Sequence, residues 1–161
     1  MELIINIDGG SRGNPGPGAS AWVIKDAKGQ LLLQDGLFFK QCTNNQAEFM
    51  ALKCALLAAV KLKGSALKIF SDSQLLVKQY LGEYKIKNPQ LKILIDEIHS
   101  LAKSFKIVNI THVPREQNKQ ADALCNAVMD ERLKSNAKPP FKFAEFKEQA
   151  VQPNLFDLNN L

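Results

Sequence analysis

No uninterrupted apolar run in this sequence is long enough to cross a bilayer, and no charged segment followed by an apolar core stands at its start. A cytoplasmic protein with no membrane partner is therefore expected. Cysteine is scarce as well. Cys42, Cys54 and Cys125 are odd in number and form no C-x-x-C pair, and two of them fall in helix-like apolar patterns, so buried reduced thiols are expected rather than a disulfide framework. Charge is not extreme: a formal net charge of +5 permits a polyanionic partner without requiring one. What is present, 161 residues of which 45% are hydrophobic and 23% charged, suffices for one domain with a sizeable buried core.

The stretch that organises the chain is residues 3–18. An apolar run, Leu3-Ile4-Ile5-Asn6-Ile7, predicts a strand that ends in Asp8, and a glycine-rich segment over which a polyanion could lie close to the main chain follows at once. Residues 19–25 read as a second strand, 26–29 as a turn, and 30–34 continued by 36–39 as a third. Such short connections suit antiparallel hairpins. Thr43-Asn-Asn-Gln46 fits a capping box that opens a helix running to about Lys63, with Glu48 in its first turn. Phe49, Leu52, Leu56 and Val60 predict its buried face, with Met50, Cys54 and Leu57 beside it. The helix dipole alone would favour a carboxylate where Glu48 stands.

Residues 66–70 read as a further strand that stops at Ser71-Asp72-Ser73. Asp72 thus repeats the situation of Asp8, or else caps the helix over 74–81. A short basic connection, 82–88, precedes a helix opened by Pro89 with Leu91, Leu94, Ile95, Ile98 and Leu101 on one stripe, His99 lying off it in solvent. Residues 106–112 predict the last strand, and 113–118 lead into a helix that carries Asp122 and packs through Ala121, Leu124, Cys125 and Val128. Helix-length crossovers between the later strands suit parallel pairing. The character of the chain changes after about Ser135, which divides it into a domain at 1–135 and a linker and tail at 136–161.

Asp8, Glu48, Asp72 and Asp122 would all face one edge of such a sheet. Two like charges about 4 Å apart cost on the order of 4 kcal/mol at an effective dielectric of ~20, so convergence would call for bound cations or raised pKa values. Hard divalent ions with oxygen ligands are the natural answer, and Mg²⁺ suits a site completed by phosphate oxygens and water.

Asp8-Gly-Gly-Ser…Gly13-Asn-Pro-Gly-Pro-Gly18, Thr43-Asn-Asn-Gln-Ala-Glu48, Ser71-Asp-Ser-Gln74 and Arg115-Glu-Gln-Asn-Lys-Gln-Ala-Asp122 closely resemble, in order and spacing, the successive motifs of type 1 ribonuclease H, across roughly residues 3–133. The resemblance implies an α/β, ribonuclease H-like fold: a mixed five-stranded sheet, three antiparallel strands then two parallel ones, flanked by helices. It implies an endonuclease that cuts the RNA strand of RNA–DNA hybrids and leaves 3′-hydroxyl and 5′-phosphate ends. Asp8, Glu48, Asp72 and Asp122 would be catalytic and metal-binding. Asp8 would bridge two Mg²⁺ ions, with Mn²⁺ as a substitute, Asp122 would hold the ion that activates water, and Glu48 and Asp72 the ion beside the leaving oxygen.

By the same resemblance Gly10, Asn14, Thr43, Asn44, Asn45 and Gln74 would contact substrate, amides being suited to reading a 2′-hydroxyl. Helix capping is a second reading of Thr43 and Asn44, compatible with the first. The chain departs from members that grip the hybrid with a large basic protrusion, since 82–88 is too short for one. His112 and Arg115 are candidates for a phosphate contact or product release. Arg115 is favoured because it sits in a loop, while His112 ends a strand followed by Val113-Pro114. The rival function class is a non-catalytic nucleic-acid-binding or clamp-associated adaptor module on the same fold, which would have no chemical need for four carboxylates. In the tail, Gln152-Pro-Asn-Leu155-Phe156 resembles the short peptide by which bacterial replication and repair proteins dock on the sliding clamp, with Gln152, Leu155 and Phe156 as anchors. Folding back of the same apolar residues on the domain is the alternative. A monomer is expected.

Overall fold

The structure is a computed structural model that describes residues 1–133 and, as main chain, a two-residue strand at 147–148. Its elements in chain order are β1 (Glu2–Ser11), β2 (Gly16–Asp26), β3 (Leu31–Cys42), α1 (Asn44–Lys61), β4 (Ala66–Ser71), α2 (Gln74–Tyr80), α3 (Pro89–Ala102), β5 (Ile107–His112), a 3-10 turn at Arg115–Gln117, α4 (Lys119–Leu133) and β6 (Lys147–Glu148). The strands form one sheet in the order β5-β4-β1-β2-β3-β6. β1, β2 and β3 pair antiparallel, whereas β4 joins β1, and β5 joins β4, in parallel. This is the expected five-stranded mixed sheet, with β6 added in parallel at the β3 edge.

Strand alternation gives the sheet two packed faces. Leu3, Ile5, Ile7, Trp22, Ile24 and Phe39 point into the larger core, which α1 and α3 cover, and the Lys53–Glu97 ion pair ties those two helices together. Ala19, Ala21, Val23 and Phe38 point the other way, into a smaller core under α4. No helix among the described residues is long and apolar enough to cross a membrane.

Several local expectations are corrected. Asp8 does not end β1, which runs on through Gly9 and Gly10 to Ser11 because those residues keep their pairing with Ser20, Ala19 and Gly18 of β2. Glycine at position 9 serves close approach: a Cβ there would overlap the main chain of Ala47 and Glu48, so α1 lies directly on β1. The capping box is present, with Thr43 Oγ1 accepting from Gln46 N at 3.1 Å and Gln46 Oε1 accepting from Thr43 N at 2.8 Å. Glu48, however, follows the first turn and is buried, so it is no mere decoration of the dipole.

The inner face of α1 is built on Ala47, Ala51, Ala55 and Ala59, all fully buried, together with Phe49, Met50, Leu52 and Leu56. Leu57 and Val60 are exposed and Cys54 is half-buried. Methyl side chains at four-residue spacing let the helix settle low on the sheet, which leaves no depth for larger residues on its flank. Ser73, not Asp72, caps α2, its Oγ accepting from Leu76 N at 3.2 Å. His99 is exposed but not merely solvated, since its Nε2 lies 2.9 Å from the carbonyl oxygen of Tyr80 and its ring rests on that tyrosine.

Candidate active site

The register of the central parallel pair sets the site. β1 and β4 align as far as Ile7 opposite Ser71, so Asp8 and Asp72 are the next residues on neighbouring strands, where the spacing is about 4.8 Å. Glu48 reaches the same point from the second turn of α1, held close by the bare main chain of Gly9. One carboxylate oxygen from each of Asp8, Glu48 and Asp72 lies within 4.8 Å of the other two. Asp122, in the first turn of α4, lines the same cavity of about 420 Å³. The four sequence-predicted carboxylates are thus brought to one place, three in a tight group and the fourth beside them.

The electrostatics follow from that crowding. Asp8 and Glu48 are 7% and 8% exposed, too buried for water to screen their charges. Burial first, then the charges of Asp72 and Asp122, push Asp8 up to about 8, against the opposing N–H of Gly9. Burial and the charges of Asp8 and Asp72 hold Glu48 well above the ordinary carboxylate range. Asp72 is raised by burial and by Asp122, with Arg115 and His112 pulling the other way. Glu48 Oε2 is buried with no hydrogen-bond partner. An all-oxygen donor set, strained by its own charge and holding one unpartnered buried oxygen, fits a hard divalent cation.

Asn118 lies inside the last of the quoted motifs, but its positioning role was not read from the sequence. It is 1% exposed, its Nδ2 donates to Ile7 O at 2.9 Å, and its Oδ1 accepts from Asn6 Nδ2 at 3.0 Å. Its own carbonyl accepts from Asp122 N at 3.1 Å, so one side chain and one carbonyl lock the start of α4 to β1 one residue before Asp8. The signal in the sequence was its place in that motif, four residues before Asp122. Cys125, also on the cavity wall, directs its thiol at Ala19 O, and burial with the neighbouring carboxylates pushes that thiol well up.

The expected substrate residues divide. Gly10 and Asn44 line the cavity; Asn44 Oδ1 accepts from Ser11 N at 2.9 Å, while Asn44 N donates to Asn14 Oδ1 at 3.0 Å, so Asn14 is joined to the wall through Asn44. Thr43, Asn45 and Gln74 stand outside it. Asn45 Nδ2 donates to Gln79 Oε1 at 3.2 Å, and Asn45 Oδ1 is buried with no hydrogen-bond partner. Arg115 lines the cavity and donates to Asp122 Oδ1 at 3.3 Å; His112 ends β5 opposite Ser71.

The reverse transcriptase-like family profile matches residues 6–128. The bifunctional protein Rv2228c of Mycobacterium tuberculosis is 39% identical over 140 residues, which are 85% of this chain and 38% of that protein. Ribonuclease HI of Halobacterium salinarum is 40% identical over 124 residues, 77% of this chain and 62% of that one. The chain therefore spans less than two thirds of each of these curated relatives, 38% of one and 62% of the other. Among solved structures, LC11-RNase H1 in complex with RNA/DNA hybrid superposes with a TM-score of 0.76 at 36% identity, covering 82% of this chain and 99% of the other. With the sheet order, the family profile and these relatives in agreement, the chain belongs to the type 1 ribonuclease H family.

Proposed function

We propose that this chain is an endonuclease that hydrolyses the RNA strand of RNA–DNA hybrids, with Asp8, Glu48, Asp72 and Asp122 as its metal-holding carboxylates and 3′-hydroxyl and 5′-phosphate ends as its products. The observation that carries this reading is the gathering of Asp8, Glu48 and Asp72 within 4.8 Å around a buried oxygen that lacks a protein partner. The four residues would hold two Mg²⁺ ions, with Mn²⁺ able to replace them. When bound, the ions would stabilise charge on the attacking and departing oxygens of the phosphodiester.

The protein's own groups have separable tasks. Asp8 sits on the central strand, pinned between β2 and the Asn118 link, and so fixes the position from which the others are measured. Asn14 and Asn44, tied to each other and to Ser11, would orient the sugar edge of the substrate, and a 2′-hydroxyl has the donor and acceptor that such amides need. Arg115 is 75% exposed and near Asp122, which suits a phosphate contact or the release of product better than His112 at its strand end. Residues 1–135 would be the catalytic domain and 136–161 its linker and tail. Gln152, Leu155 and Phe156 lie outside the described residues; clamp docking by them is a separate proposal, tested by truncation after Ala150 and titration with a sliding clamp. A cytoplasmic location accords with Cys42 and Cys125, which are buried and outside any disulfide; a monomer belongs to the same proposal.

The decisive experiment incubates the chain with end-labelled RNA–DNA hybrid, RNA duplex and DNA duplex, each with Mg²⁺, Mn²⁺ or a chelator. Cleavage confined to the RNA of the hybrid and abolished by chelation is expected. Equal cleavage of all three substrates, or of none, overturns the reading. Arg115→Ala and His112→Ala, compared for turnover, assign the accessory role, and a large loss confined to His112→Ala reverses the preference stated above.

A further inference from the structure

We propose that Arg12 is a second phosphate-holding residue, on the rim of the cavity away from Arg115, and that Asp130 keeps it in place until a phosphate replaces the pairing. The inference rests on the hybrid-cleaving reading and adds a contact that the motifs do not contain. Arg12 follows the end of β1, with its main-chain N–H donating to Pro17 O at 2.7 Å, so the base of its side chain is fixed by the β1–β2 connection. Its guanidinium lies 2.6 Å from Asp130 Oδ1, and the two side chains are 41% and 43% exposed.

The charge on the cavity wall is lopsided. Four carboxyl groups line it, and among the described residues Arg12 and Arg115 are its cationic ones. A polyanion approaching such a wall needs positive charge at the rim, and two guanidiniums are available. Both are paired with carboxylates of the same helix, Arg115 with Asp122 and Arg12 with Asp130. Those partners are eight residues apart on α4, about 12 Å along its axis at roughly 1.5 Å per residue. Successive phosphates of one strand advance only about 3.4 Å along a duplex axis, so the two arginines would meet different phosphates, several nucleotides apart. An exposed ion pair is close to neutral energetically in water, so exchanging Asp130 for a phosphate costs the protein little, and guanidinium binds phosphate in a bidentate fork.

Steady-state cleavage of a hybrid at salt concentrations from about 50 to 200 mM tests the assignment. Arg12→Ala is expected to raise KM about fivefold while kcat changes far less, and to lower the slope of log KM against log salt by about 0.9, the loss of one phosphate contact. Arg12→Lys should restore the slope, because it restores the charge. Asp130→Asn breaks the same pair but leaves the guanidinium free, so it should keep the wild-type slope and lower KM or leave it unchanged. A merely structural tie predicts the opposite pattern, with Arg12→Ala and Asp130→Asn losing thermal stability alike and neither changing the slope. A wild-type slope for a folded Arg12→Ala, or for Arg12→Gln should the alanine variant fail to fold, overturns the proposal while hybrid cleavage stands. Failure of the unaltered chain to cleave hybrid overturns both.

Discussion

α1 and α4 bring carboxylates to one cavity from opposite faces of the sheet, and they are held there by different means. α1 buries ten residues, its alanine stripe flat on β1 and its flank against α3, so Glu48 is placed by area and shape. α4 buries six, on a core half-filled by small residues, and the position of Asp122 depends on the hydrogen bonds of Asn118. Packing spread over many atoms tolerates the loss of any one contact, whereas a buried polar link fails when one partner is removed. The site thus has a firm half and a half that hangs on a few specific bonds, and Asp8 belongs to both.

The largest expected effect is on that shared residue. Asp8→Asn should lower hybrid cleavage by about 10³-fold or more while the metal-free protein becomes more stable. In the unfolded chain an aspartate titrates near 3.9, and in the fold Asp8 is pushed up to about 8. Between those values the folded chain holds the extra proton, so stability conferred by the protonated group is full at low pH and is lost as pH rises toward 8. Asparagine removes this loss. The gain in Tm over wild type should be about 5 °C near pH 8 to 9 and vanish near pH 4; a lower Tm for Asp8→Asn at pH 9 would contradict the crowding.

Next in size, Leu52→Ala in the large core should cost about 3 kcal/mol in urea unfolding, against about 1.5 to 2 kcal/mol for Val128→Ala in the small one. A larger cost at Val128 would reverse the ranking of the two cores. Smaller in stability but sharper in location, Asn118→Ala should cost about 1–3 kcal/mol by leaving the carbonyl of Ile7 unpaired. Hydrogen exchange should then quicken in the first turns of α4 and stay unchanged in α1. Equal quickening in both helices would show that the halves are not held separately.

What was legible in the sequence was what local chemistry determines. The apolar, β-branched run from Leu3 to Ile7, the reciprocal Thr43 and Gln46 cap, and Pro89 at the head of α3 each specify an element without help from distant chain. The four carboxylates were legible as a set through their motifs, and their convergence became visible only in the register Ile7 opposite Ser71. Ala47, Ala51, Ala55 and Ala59 were overlooked because a reading weighted by bulk ranks Val60 above a methyl group, although shallow side chains are what a helix close to a sheet requires. Ser73 and Asp72 are equally good caps by composition, and only the backbone decides between them. Asn118 acts on a residue 111 positions away, beyond the reach of any periodicity.

The parallel register of β1 on β4 also has a consequence in time. The two strands are separated by β2, β3 and α1, so their alignment is a long-range closure expected to form slowly compared with the β1–β2–β3 hairpins. Asp8 and Asp72 lie just past the closed end of that zipper, and Glu48 arrives with the docking of α1, so their mutual repulsion develops after most of the sheet is in register. An interaction made after the rate-limiting barrier alters the rate of escape from the native state more than the rate of entry. A divalent ion that relieves the repulsion should therefore lower the unfolding limb of a chevron plot and leave the folding limb nearly where it was.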